Sequence, residues 1–103
     1  MAHNVTIELE NDLAQKVNKL VQFFGSKELL FTNLIEFHQK RIRREIAQIQ
    51  KDLNQYEQQY EMSSAVFFEQ FENGQLEDSQ DFILWSGIYE MQLNSKNKLE
   101  ELA

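Results

Sequence analysis

Acid–base, metal or nucleophilic chemistry needs particular side chains at particular spacings, and this chain supplies few of them. It has two histidines, His3 and His38, seventeen acids and no cysteine. The lack of cysteine removes thiol catalysis, zinc–thiolate sites and a disulfide framework. His3 lies near the N-terminus and His38 stands beside Phe37. Neither has a second histidine close in sequence, so neither a metal site nor a catalytic dyad is expected. Carboxylate-bridged metal sites want Glu-x-x-His pairs on facing helices. Glu36 and His38 are two positions apart and do not share a helix face. No glycine-rich phosphate loop, Gly-x-Ser-x-Gly or His-Glu-x-x-His occurs. The expectation is a protein that is not an enzyme and carries no metal or cofactor.

What remains is binding, and charge and aromatic residues say where. The 103 residues carry a net charge of −7, unevenly spread. Residues 1–53 hold eight Lys/Arg against seven acids, whereas residues 54–103 hold two lysines against ten acids. An acidic C-terminal half repels nucleic acid and attracts a basic protein, or simply keeps the chain soluble. The one basic cluster, Lys40-Arg41-x-Arg43-Arg44, suits either phosphate contacts or ion pairs with acids such as Glu36 and Glu45. Its distance along the helix from Lys27, roughly 20 Å at 1.5 Å per residue, favours the ion pairs. Six aromatics, Phe67, Phe68, Phe71, Phe82, Trp85 and Tyr89, crowd into 23 positions. Such residues build either a core against Tyr56 and Tyr60 or a partner surface. Core is expected for most of them, and Phe71, Phe82, Trp85 and Tyr89 are the candidates for partner contact.

These residues need elements to position them. Three glycines and no proline favour long helices. Residues 4–9 alternate, with Val5, Ile7 and Leu9 on one face and Asn4, Thr6 and Glu8 on the other, the pattern of a half-buried strand. No second strand is visible, so its ladder partner is expected from another copy of the chain. Asn11 or Asp12 suits the start of a first helix whose stripe is Leu13, Val17, Leu20, Val21 and Phe24, and Gly25 suits its end. Ser26 is placed to cap a second helix over about 27–61, with a seam from Ile42 to Tyr60 stepping 4, 3, 4, 3, 4. At 1.5 Å per residue that helix runs roughly 50 Å, so part of its seam should pack on a second subunit or on the C-terminal helices. Ser63 or Ser64 starts a short helix closed by Asn73-Gly74, and Asp78 or Ser79 caps a last one. No apolar run is long enough to span a membrane and no secretion signal is evident, so a cytoplasmic protein is expected.

The string Val5-Thr6-Ile7-Glu8-Leu9, the acidic helix start Glu10-Asn11-Asp12-Leu13, a three-turn helix, Gly25-Ser26 and a further helix resemble the ribbon-helix-helix family over about 40 residues. That resemblance implies an intertwined homodimer whose single strands pair across the two chains and enter the DNA major groove. The fold expected is therefore mainly α: a ribbon-helix-helix-like dimer with a long second helix and a C-terminal helical extension. Residues 1–45 would form the dimerising and DNA-binding region, and residues 46–103 the helix continuation and acidic partner-binding extension. Asn4, Thr6 and Glu8 would face base edges, and Ser26 and Lys27 would hold a phosphate at a helix N-terminus. Glu8 departs from the family's usual basic or amide residue. The plain alternative is a strand that only dimerises, beside an ordinary helix cap.

Farther along, Tyr56-Glu57-Gln58-Gln59-Tyr60-Glu61-Met62-Ser63-Ser64 leads to Phe67-Phe68-Glu69-Gln70-Phe71-Glu72-Asn73-Gly74-Gln75-Leu76-Glu77-Asp78 and then to Asp81-Phe82-Ile83-Leu84-Trp85. This order is similar to small prokaryotic proteins that resemble antitoxins of type II toxin–antitoxin modules. The resemblance implies a C-terminal region that neutralises a small toxin, with operator DNA bound by the dimer to repress its own operon. The alternative from another class is a structural or interaction protein, a dimeric helical assembly without DNA binding, which Glu8, the acidic charge and the heptad seam favour.

Overall fold

The computed structural model describes residues 2–103, which form four helices: α1 (Asn11–Phe24), α2 (Lys27–Tyr60), α3 (Ser64–Glu72) and α4 (Gln80–Leu102). The chain divides into two compact units, one ending at Glu36 and one spanning Phe37–Ala103. The division lies inside α2. No loop-forming residue marks it, because α2 runs on without a break.

In the first unit, α1 ends as its sequence predicts. Gly25 takes φ 96°, the left-handed region, and its N–H donates to the Val21 carbonyl, an arrangement that favours glycine for want of a Cβ. Ser26 Oγ then accepts from the Leu29 N–H at 3.1 Å and caps α2. The start of α1 differs from expectation. Asn11 and Asp12 are already inside the helix, and Glu10 occupies the cap position without a side-chain hydrogen bond.

The expected strand is absent: residues 4–9 belong to neither helix nor strand, and no strand occurs among the described residues. A single strand has no ladder of its own, and one chain contains no second strand to supply it. The fold is thus mainly helical.

The second unit has a well-filled core. Its centre is Leu53, Phe67 and Trp85, with Ile49, Tyr56, Tyr60, Met62, Phe71, Phe82, Ile88 and Tyr89 packed around it. The seam of α2 from Ile42 to Tyr60 is buried or half-buried throughout. It meets α4, whose inner stripe is Asp81, Trp85, Ile88, Gln92, Ser95 and Leu99, again in steps of 4, 3, 4, 3, 4. Near the other end of that pair, the Gln39 side chain donates to the Leu102 carbonyl at 2.8 Å. Of the two packing partners expected for this part of the seam, α4 of the same chain is the one observed.

Candidate functional site

Trp85 stacks on Phe67, centroid to centroid 3.7 Å with 4° between planes. Tyr56 and Tyr60 lie 5.6 and 5.7 Å from the same indole. Its N–H donates to Ser64 Oγ at 2.9 Å, so the one polar atom of the buried ring is satisfied. Ser64 is itself held, its backbone N–H donating to the Glu57 carboxylate at 2.7 Å. Ser63 caps α3 by accepting from the Val66 N–H, and Ser79 caps α4 by accepting from the Phe82 N–H.

Between α2 and α3 the chain reverses through Glu61, at φ 51°, and the Met62 N–H returns to the Glu57 carbonyl at 3.2 Å. This is a helix end of the kind usually made by glycine. The Tyr60 hydroxyl donates to Asp81 Oδ2 at 2.5 Å and ties α2 to the first turn of α4. That bond, then desolvation and the negative charges of Asp81 and Glu77, raise the phenol above its ordinary value of 10.0. Each named residue of the Tyr-Glu-x-x-Tyr-x-Met-Ser-Ser string thus has a structural role inside the unit.

Trp85 is 0% exposed, and a side chain with no surface touches no partner while the unit is folded. The sequence offers Trp85 as a candidate for partner contact while expecting most of these aromatics in a core; the structure places it at the centre of the core, because the inner stripe of α4 runs through it. Phe71, Phe82 and Tyr89 are half-buried at the edge of the same core.

The sequence reading missed residues on the opposite side of α4. Ile83, Leu84 and Met91 are 56%, 49% and 58% exposed. They flank Gly87, where an added Cβ would meet nothing within 4 Å. The signal was available: the 81-85-88-92-95-99 stripe marks the inner face, and these apolar residues lie outside it.

In the first unit the apolar side chains lie open. Val5 and Phe23 are 82% and 80% exposed, and Ile7, Leu9, Leu13, Leu20, Phe24, Leu29 and Phe31 are exposed with them. Leu30 alone among the described residues of this unit reaches burial, and α1 contains no buried residue. Val5, Ile7 and Leu9, with Leu13, Val17 and Val21 of α1 and Phe31 of α2, line a groove of about 550 Å³. Asn4, Thr6, Glu8 and Lys27 are exposed, and Ser26 is half-buried with its hydroxyl engaged in the cap. Thr6 and Lys27 also lie along the groove.

Arg41 pairs with Glu45 at 3.6 Å, both well exposed. It is the sole ion pair among the described residues, and a surface pair of that kind contributes little. His3 and His38 are exposed. No metal-binding group of His, Cys, Asp and Glu occurs among the described residues, and no described helix is long and apolar enough to cross a membrane. No protein-family model, curated protein or solved structure matches the chain.

Proposed function

We propose that this chain is an antitoxin-type protein that works as a homodimer. Its first unit pairs with that of a second copy, and its acidic second unit binds and neutralises a small basic toxin. The observation that carries the dimer is the open apolar face of residues 5–35. Val5, Ile7 and Leu9 line one groove with the apolar residues of α1 and α2, and monomeric proteins rarely leave so much contiguous apolar surface in water. A strand from each chain, paired antiparallel, would give residues 4–9 their ladder and cover that face.

Toxin binding is supported by the acidic charge of residues 54–103 and by their similarity to antitoxin-like proteins. Eight of their ten acids are exposed, which suits a basic partner held by charge and steric occlusion rather than by chemistry. In the paired form Asn4, Thr6 and Glu8 would lie on the ribbon's outward side, with Lys27 and the capped start of α2 toward phosphate, so that the dimer represses its own operon.

One observation favours a second reading, a dimeric interaction protein without DNA binding: Glu8 sets a carboxylate among the base-reading positions, where it faces phosphate repulsion. Co-expression with the product of the adjacent reading frame, followed by a mobility shift on the upstream DNA, separates these readings. The antitoxin reading expects a stable complex and rescue of growth. A DNA role expects a shift that weakens steeply with salt. A complex without a shift leaves neutralisation alone, and no complex overturns the antitoxin reading.

A further inference from the structure

We infer that the outer face of α4, built from Ile83, Leu84, Gly87 and Met91, is the docking surface for the basic protein partner. This rests on the proposed function and names the surface that would carry it. Three observations converge there. The apolar side chains of Ile83, Leu84 and Met91 are about half exposed, although α4 already has a complete inner stripe against the core. Gly87 sits among them in the middle of a helix, where glycine is unfavourable. The fold does not require it, since an added Cβ would meet nothing within 4 Å. A missing side chain between exposed apolar neighbours lets a partner's backbone or large side chain approach closely.

The third observation is charge. From residue 52 to residue 95 there are nine acids and no Lys, Arg or His. Among them Glu90 is exposed on the same helix face, and Glu77 and Asp78 are exposed in the connector just before the helix. An apolar face with Glu90 beside it, in a stretch from residue 52 to residue 95 without a basic side chain, fits a protein that presents apolar residues beside lysine or arginine. A second copy of this chain is the competing occupant of this face, and the test below separates the two. Nucleic acid and anionic lipid are repelled by the same acids.

The test uses the full chain and, as probe, the purified product of the adjacent reading frame, with affinity measured for the wild type, Gly87→Gln and Met91→Glu. Both substitutions face solvent, and Gly87→Gln removes a helix-interior glycine, so its melting temperature should equal or exceed that of the wild type. Each variant is expected to weaken binding by about tenfold or more, as loss of a central contact does, and wild-type affinity should fall as salt rises. A wild-type complex that both folded variants form equally well overturns this surface and leaves the antitoxin reading standing. Failure of the wild type itself to bind overturns the antitoxin reading and the surface with it. Self-association that Gly87→Gln abolishes would assign the face to a second copy and overturn the inference.

Discussion

The residues up to Glu36 and those from Phe37 onward treat their apolar side chains in opposite ways. The second unit closes on itself. Trp85 and Phe67 have no exposed surface, and no buried side-chain nitrogen or oxygen among the described residues lacks a hydrogen bond. The first unit has well-formed helix ends, Gly25 and Ser26 included, but almost nothing covers its apolar face. Capping and periodicity hold in both units with one departure in each, the uncapped start of α1 at Glu10 and the positive φ of Glu61. The difference lies in where the covering surface comes from: the same chain in one case and, on the proposed reading, a second chain in the other. A helix is held mainly by packing of its apolar face rather than by propensity, so α1 should depend on that second chain far more than α4 does.

The largest test of this contrast is removal of the core indole. Trp85→Ala should destabilise the second unit by about 3–5 kcal/mol, as large core truncations do, and chemical denaturation reads it directly. Phe23→Ala in the first unit removes a comparable aromatic that is exposed, and in the free chain it should cost under about 0.5 kcal/mol. Equal effects at the two positions would break the comparison.

A smaller effect is expected at Ser64. Ser64→Ala leaves the buried Trp85 N–H without its acceptor and should cost about 1–3 kcal/mol, whereas Ser63→Ala, which removes only a helix cap, should cost about 1 kcal/mol. The Glu61 turn predicts a gain. Its positive φ is strained for a residue with a Cβ, so Glu61→Gly should stabilise the unit by about 1 kcal/mol, visible as a raised unfolding midpoint.

The last effect is one of pH. The Tyr60 phenol is held above 10.0 chiefly by its bond to Asp81. Its contribution to stability is therefore fully present below pH 10, and it is lost as pH rises through the raised folded value. Absorbance titration of tyrosine ionisation should show a late-titrating phenol that disappears in Tyr60→Phe.

The legibility of these features from sequence follows the range of the interactions. Gly25, Ser26, Ser63, Gly74 and Ser79 signal turns or caps through their own backbone chemistry, and their sites were readable. The seam from Ile42 to Tyr60 was readable as a stripe, but whether its cover came from α4 or from another subunit was not, because periodicity does not name a partner. The Tyr-Glu-x-x-Tyr-x-Met-Ser-Ser string was legible only as a resemblance, whereas in the fold its residues bond across helices: Glu57 to Ser64, Tyr60 to Asp81 and Ser64 to Trp85. Those links are invisible in one dimension, and large aromatics read equally well as core or as interface. Residue size drew attention to Trp85, whereas the exposed residues on α4 are the aliphatic Ile83, Leu84 and Met91 around a glycine. The alternation of residues 4–9 was clear in the sequence, but a ladder depends on a partner that no single chain contains.

On the proposed reading the first unit is half of a core shared with a second copy. Sedimentation equilibrium of the wild-type chain and of an Ile7→Lys variant tests it most directly, since Ile7 lines the open groove of the first unit. The wild type should show twice the chain mass. Ile7→Lys should show a single-chain mass, with near-ultraviolet circular dichroism from the Trp85 cluster preserved. A wild-type chain that stays monomeric at micromolar concentration, or an Ile7→Lys variant that dimerises equally well, would contradict it.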